Sequence, residues 1–254
     1  LYSSVSCQVN TLFSFLGFLF AFDLEVAPFG RLCRFFLSEA AAAAPPPPLP
    51  LSACFPFPLL GLVHLENSIR VLRPLGGISR LRFSVHVDNL QPHEKGATFD
   101  LISEACDGLG LIWSETSRML CRGFKLEGEP AAEEQPAVQP MDELTRWYAD
   151  TDIGRRYAKV CGDYNPIHLS AASAKLFGFP TAIAHGMWSK AMTLAALRYH
   201  LPVSGYEIDV RFAKPVRLPS EVVLNASPTA DSGQLRLDGH GELVHMQGAW
   251  RPLA

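Results

Sequence analysis

The sequence lacks several patterns that mark common functional classes. None of its six cysteines forms a C-x-x-C pair, so neither a structural zinc site nor a disulfide framework is predicted. The net charge of −3 gives no basic footprint for nucleic acid. The uncharged apolar run at 11–22 is 12 residues long, well short of the roughly 20 that a membrane-spanning helix needs. We therefore predict no nucleic-acid partner, no membrane partner and, from unpaired cysteines, a cytoplasmic location.

Composition indicates a folded protein with a sizeable core. Hydrophobic residues make up 48% of the 254 residues and charged residues 19%, which excludes global disorder. This length accommodates one large domain or two small ones. A secretory signal would place Lys or Arg ahead of the apolar run, and residues 1–10 contain neither.

The first 55 residues carry no functional signal. Residues 40–50 are low-complexity, with five alanines followed by prolines, a composition typical of a polyproline-like spacer. We interpret residues 1–55 as an N-terminal extension or as a poorly formed part of the first domain. Their apolar pattern predicts two helical runs.

Residues 56–127 have the pattern of antiparallel strands. Leu81, Phe83, Val85 and Val87 alternate with polar residues and are predicted to share one face of a strand. Further strands with short connections follow, which indicates an antiparallel sheet. Residues 128–140 contain three prolines and an acidic pair, so we place a linker and a domain boundary there.

Residues 141–254 form the second predicted domain. A partly helical segment at 141–159 is followed by predicted helices at 170–177 and 185–199, and then by four strands. The seven residues that start at Ile69 and the seven that start at Val210 share the order apolar, Arg, apolar, apolar, basic, Pro, apolar. This repeat favours duplication of a small α+β domain.

The chemistry-bearing stretch is Gly-Asp-Tyr-Asn-Pro-Ile-His at 162–168. Pro166 disfavours helical backbone at Asn165, so the chain should turn between Asp163 and His168. A carboxylate and an imidazole on one turn can hold a single water or hydroxyl. Gly186 stands where a helix is predicted to begin, and the N–H groups and dipole of a helix start suit a developing oxyanion.

Each of these residues also has a purely structural interpretation. Asp163 and Asn165 are common turn residues. His168 fits a core histidine bonded to backbone, and His185 is interpreted as structural. Gly186 fits a close contact between helix and sheet.

The stretch at 162–168, followed by Ile-Ala-His-Gly-Met at 183–187, resembles the signature of MaoC-like (R)-specific enoyl-CoA hydratases and acyl dehydratases. The resemblance covers about 157–254. It implies an α+β double hot-dog fold, in which a long central helix is wrapped by a curved antiparallel sheet. The half at 141–254 would be catalytic. The half at 56–127 would be degenerate and non-catalytic, because it lacks the motif.

The resemblance also implies roles for the site residues. Asp163 and His168 would form the catalytic pair, Asn165 would support the turn, and the Gly186 N–H would polarise the thioester carbonyl. The implied reaction is reversible hydration of a trans-2-enoyl thioester to a (3R)-3-hydroxyacyl thioester in fatty acid metabolism.

The implied substrate is an acyl thioester of CoA or of acyl carrier protein, with no metal and no cofactor. A homodimer or an internal pseudo-dimer is the expected assembly. Two alternatives are a hot-dog thioesterase and a non-catalytic subunit that binds acyl thioesters. Intact Asp-x-Asn-Pro-x-His argues against the thioesterase, since thioesterases of this fold generally place their acid elsewhere.

Overall fold

The computed structural model describes residues 62–74, 81–130 and 140–253. The predictions made for residues 1–55 lie outside this part of the chain. No helix among the described residues is long and apolar enough to cross a membrane. The strands are β1 (Leu62–Val71), β2 (Arg82–His93), β3 (Gly96–Asp107), β4 (Gly110–Arg122), β5 (Asp142–Ala149), β6 (Tyr206–Phe212), β7 (Ser220–Pro228), β8 (Gly233–Asp238) and β9 (Val244–Pro252). The α-helices are α1 (Ile153–Cys161), α2 (Pro166–Leu169), α3 (Ala171–Lys175) and α4 (Gly186–Ala196), and a short 3-10 helix spans His240–Glu242.

All nine of these strands belong to one antiparallel sheet, in the order β2-β3-β4-β1-β6-β9-β8-β7-β5. The two halves of the chain meet where β1 pairs with β6, with Ile69 opposite Ile208. Away from this junction, the order β1-β4-β3-β2 on one side matches β6-β9-β8-β7 on the other. The residues of the sequence repeat that lie in strands, 69–71 in β1 and 210–212 in β6, are therefore in the two equivalent central strands of the sheet.

Helix α4 packs against one face of this sheet. Its Trp188 and Leu194 are buried in the same core cluster as Ile208, Leu224 and Trp250. The strands supply such residues at every second position, because successive side chains point to opposite faces. Fully burying each large apolar side chain contributes roughly 1.5–3 kcal/mol. Burial of this face holds the start of α4 over the middle of the sheet.

The predicted α+β class and the antiparallel strands are confirmed, with local differences. The helix predicted at 170–177 is the shorter α3, and Ser170 caps it by accepting the Ser173 N–H at 3.1 Å. The segment predicted as partly helical begins with strand β5, which pairs with β7 at the sheet edge, and becomes helical only at Ile153. The helix predicted at 185–199 is α4.

Candidate active site

The turn that follows α1 is built by side chains bonding to their own backbone. Gly162 ends the helix with φ +71°, a left-handed conformation that favours glycine. The Asp163 carboxylate accepts the Asn165 N–H at 3.0 Å, and the Asn165 side chain accepts the Ile167 N–H at 3.4 Å. Pro166 follows as the first residue of α2, where its missing N–H costs nothing. The turn predicted between Asp163 and His168 is confirmed.

The His168 ring is held in one tautomer. Its Nδ1 lies 2.8 Å from the carbonyl oxygen of Ile183. Because a carbonyl can only accept, Nδ1 carries the proton and Nε2 keeps its lone pair. Helix α2 can approach α1 closely because residue 154 is glycine: a Cβ there would lie 1.8 Å from the His168 carbonyl oxygen.

The acid and the imidazole face each other without a direct hydrogen bond. His168 Nε2 and Asp163 Oδ2 are 3.9 Å apart. The Asp163 side chain is 54% exposed and that of His168 is 9% exposed, so the pair opens to solvent on the aspartate side. Two acceptors at this separation leave room for one water molecule that donates a hydrogen bond to each.

His185 is a third member of this cluster. It is the residue before α4, and its Nε2 donates to the Asp163 carbonyl oxygen at 3.0 Å. Its ring stacks on that of His168 with centroids 3.6 Å apart. The Tyr157 ring contacts the His185 ring at a tilt, with centroids 5.1 Å apart. The sequence interpretation of His185 as structural did not foresee that it contacts both members of the pair. Its position directly before Gly186 was the available signal.

Burial sets the protonation of both imidazoles. It lowers the pKa of His168, while the hydrogen bond to Ile183 and the Asp163 carboxylate act in the opposite direction. Burial, and then the neighbouring His168, lower the pKa of His185 to about 4. Both rings are therefore neutral at pH 7, as the two tautomers require.

Gly186 begins α4 beside this cluster, as predicted. The first hydrogen bonds of the helix run from the Trp188 and Ser189 N–H groups to the His185 carbonyl. The Gly186 N–H comes before these groups in the chain and has no partner within the helix. A Cβ at Gly186 would lie 3.1 Å from the Phe212 ring. The glycine thus also permits a close contact between helix α4 and strand β6. The oxyanion role and the contact predicted as its alternative are compatible.

Asp163, His168 and His185 also meet the distance criterion for a metal site. Among the described residues, this is the group whose three ligand atoms lie within 4.8 Å of one another. His185 Nε2, however, needs its proton to donate to the Asp163 carbonyl, whereas a metal ligand must offer a lone pair there. The hydrogen bonding therefore fits an organic substrate better than a metal ion.

A cavity of about 420 Å³ lies on the other face of the sheet. Its lining includes Arg118, Arg211 and Arg236, together with Glu66 and Asp100. Arg118 bonds to Asp100 at 2.9 Å and to Glu66 at 3.3 Å, so its charge is matched within the wall. The Asp163 cluster is not part of this cavity.

Comparison with protein families identifies the second half of the chain. Residues 129–237 match the family described as MaoC like domain. This segment is similar to the MaoC-like domain. It contains the whole Asp163 cluster and the start of α4, which agrees with the resemblance seen in the sequence.

Proteins similar to this chain include named dehydratases. The 3-hydroxyacyl-thioester dehydratase X of Mycobacterium tuberculosis is 38% identical over 169 residues, which cover 65% of this chain and 59% of that protein. The mitochondrial 3-hydroxyacyl-[acyl-carrier-protein] dehydratase of Arabidopsis thaliana is 32% identical over 80 residues, 31% of this chain and 48% of that protein. The chain thus spans less than two thirds of the length of either relative.

A solved structure shares this fold. The crystal structure of HtdX of Mycobacterium tuberculosis superposes with a TM-score of 0.68, is 27% identical, and covers 96% of this chain and 96% of that one. The structural relatives are MaoC-like proteins of the hot-dog fold. The antiparallel sheet with a helix against it conforms to that architecture.

Proposed function

We propose that the protein catalyses reversible hydration of a trans-2-enoyl thioester to a (3R)-3-hydroxyacyl thioester. The observation that carries the proposal is the 3.9 Å separation of His168 Nε2 and Asp163 Oδ2, with both atoms available as acceptors. The similarity to a 3-hydroxyacyl-thioester dehydratase supports the same substrate class. The reaction class is that of a hydro-lyase.

The water held between the two side chains is the nucleophile. Its oxygen bonds to C3 of the enoyl group while one of its protons passes to Asp163 or His168. A proton from the same pair is delivered to C2 on the same face, so the elements of water add across the double bond. Dehydration runs through the same steps in reverse. The two side chains are expected to titrate as a coupled pair.

Negative charge develops on the thioester oxygen as water adds to C3. We assign the Gly186 N–H, at the start of α4, to stabilise this enolate oxygen. One preorganised donor of this kind contributes on the order of 10²-fold or more in rate. Asn165 supports the turn by capping α2 and does not contact the reacting atoms in this scheme.

The proposed architecture is a double hot-dog. The matching strand orders on the two sides of β1 and β6 support duplication, and the first half lacks the Asp-x-Asn-Pro-x-His motif. The 56–127 half would then be non-catalytic and joined through the 128–140 linker to the catalytic half. The two halves would form an internal pseudo-dimer. Among the described residues, β2 and β5 are the edge strands of the sheet, and their edges would be available for further dimerisation.

The carrier of the acyl group is CoA or acyl carrier protein. The similarity to the 3-hydroxyacyl-[acyl-carrier-protein] dehydratase of Arabidopsis thaliana supports acyl carrier protein. The test is incubation of the protein with crotonyl-CoA, followed by loss of the enoyl absorbance and chiral analysis of the product. We expect 3-hydroxybutyryl-CoA of R configuration. Release of free thiol from saturated acyl-CoA, without hydration, would instead indicate a thioesterase. Binding of enoyl thioesters without turnover would indicate a non-catalytic subunit.

A further inference from the structure

Lys190 is a fully buried lysine one turn after Gly186 on α4. Its exposed fraction is 0%. Its Nζ donates to the backbone oxygen of Asn67 at 3.0 Å and to that of Ile208 at 3.2 Å, and also to the Asn67 side-chain oxygen. Lysine is almost never fully buried unless it is paired, so this contact needs an explanation.

The contact continues into a buried network on the first half of the sheet. Asn67 Nδ2 donates to a Glu115 carboxylate oxygen and to Ser117 Oγ, the latter at 3.0 Å. Ser117 Oγ in turn donates to Glu115 at 3.3 Å. Asn67 is 1% exposed, Glu115 2% and Ser117 6%. One cation and one carboxylate are thus linked through an amide in the protein interior.

The network joins the two halves of the molecule. Asn67 lies on β1, and Glu115 and Ser117 lie on β4, all in the half that lacks the catalytic motif. Ile208 lies on β6, which pairs with β1 at the junction. Lys190 therefore ties the helix that begins at Gly186 to strands on both sides of that junction.

Stability alone does not account for such a network. Replacing a buried ionic set with apolar residues of similar volume is often neutral or stabilising, because desolvation offsets the attraction between the charges. Burial lowers the pKa of Lys190 to about 7, against the opposing effect of the Glu115 charge. Directed hydrogen bonds, unlike apolar packing, hold the linked side chains in one defined orientation.

We propose that Lys190, Asn67 and Glu115 form a positioning network that fixes the start of α4, so that the first half anchors the helix carrying the oxyanion donor. The effect on turnover rests on the proposed function. The effect on the helix does not. Lys190 acts through Gly186 and is a positioning residue. The first half would thus contribute to the reaction without a catalytic group of its own.

The test is an apolar replacement, Asn67→Leu/Glu115→Leu/Ser117→Ala/Lys190→Met, compared with wild type. We expect a folded protein with a melting temperature near that of wild type. Hydrogen exchange of the backbone N–H groups in the first turn of α4 should be about tenfold faster. Hydration of crotonyl-CoA should lose about tenfold or more in kcat, since small displacements of a catalytic group are costly, with KM changed by less than about threefold.

Thr193→Val is the matched control. Thr193 is buried on the same helix, and its hydroxyl has no hydrogen-bond partner among the residues that the structure describes, so exchange and kcat should equal those of wild type. Should the fourfold variant fail to fold, Glu115→Gln keeps the side-chain shape and removes the charge. It should show the same changes in smaller degree.

Unchanged exchange in the folded variants overturns the inference, whatever happens to turnover. If the wild type hydrates crotonyl-CoA, faster exchange in the variants with an unchanged kcat also overturns the inference. The start of the helix would then move without affecting turnover. A wild type without hydratase activity refutes the proposed function separately. In that case the exchange measurement alone decides whether the network fixes the helix.

Discussion

The imidazole rings of His168 and His185 stack with their centroids 3.6 Å apart. One ring aims its unprotonated Nε2 at the Asp163 carboxylate, and the other donates from Nε2 to the Asp163 backbone carbonyl. The aspartate is thus located by its main chain as well as by the turn. Two neutral rings can stack this closely, whereas two imidazolium rings would repel each other.

Removing the His185 donor is expected to loosen Asp163. In His185→Phe the stacking ring remains but the hydrogen bond to the Asp163 carbonyl is lost. A typical hydrogen bond contributes about 1 kcal/mol, so we expect kcat for crotonyl-CoA to fall roughly fivefold to tenfold. Steady-state kinetics with the folded variant measures this.

His245→Phe is the control for that change, because His245 is also buried and bonds to a backbone carbonyl, that of Lys214 at 3.0 Å. Comparable losses of kcat in both variants would show that the effect is general destabilisation rather than positioning of Asp163.

A methyl group at Gly186 is expected to disturb the start of α4. In Gly186→Ala the added Cβ would lie 3.1 Å from the Phe212 ring, and overpacking of this kind costs about 1–3 kcal/mol. We expect kcat to fall on the order of tenfold or more as the donor N–H shifts. Combining it with Phe212→Leu should restore part of the loss.

Gly108→Ala serves as the control for the glycine change, since a Cβ there would meet no described atom within 4 Å. Wild-type kcat in Gly186→Ala would contradict the assignment of the oxyanion site to this helix start.

Stability should depend on pH through the buried imidazoles. Burial lowers the pKa of His185 from 6.5 to about 4 and lowers that of His168. Between pH 4 and 6.5 the unfolded chain then binds more protons than the folded one. The contribution of these imidazoles to stability is therefore complete above about pH 6.5 and is lost as the pH falls towards 4. For His185 the lowering corresponds to roughly 3 kcal/mol.

Urea unfolding at pH 7, 5.5 and 4.5 measures this dependence. The free energy of unfolding should decrease across the series, and His185→Phe should show a shallower decrease. An equal slope in the two proteins would mean that His185 does not carry the effect.

Local patterns predicted the site better than they predicted its surroundings. Asp163, Asn165 and His168 lie within six residues, so a proline and two turn-forming side chains are enough to bring them together. Gly186 was identified because a helix start has its own sequence pattern. The Lys190 contact with Asn67 joins residues 123 apart, and it depends on strand register that no local pattern specifies.

The edge of the sheet shows the same limit. Residues 142–149 fall within the segment predicted as partly helical, yet they form strand β5. They extend because β7 offers a free edge for pairing. Tertiary pairing of this kind overrides local preference.

We propose that Asp163 and His168 together add water to an enoyl thioester. The most direct measurement is the rate of crotonyl-CoA hydration by wild type, Asp163→Asn and His168→Ala, with melting temperatures recorded for each. The control is Asp152→Asn, because the Asp152 side chain is half-exposed and its carboxylate lies 3.9 Å from Arg156. We predict activity in wild type and in the control, and losses of about 10²-fold to 10⁴-fold in both site variants, which should remain folded. Wild-type rates in either site variant would show that Asp163 and His168 do not act as a catalytic pair.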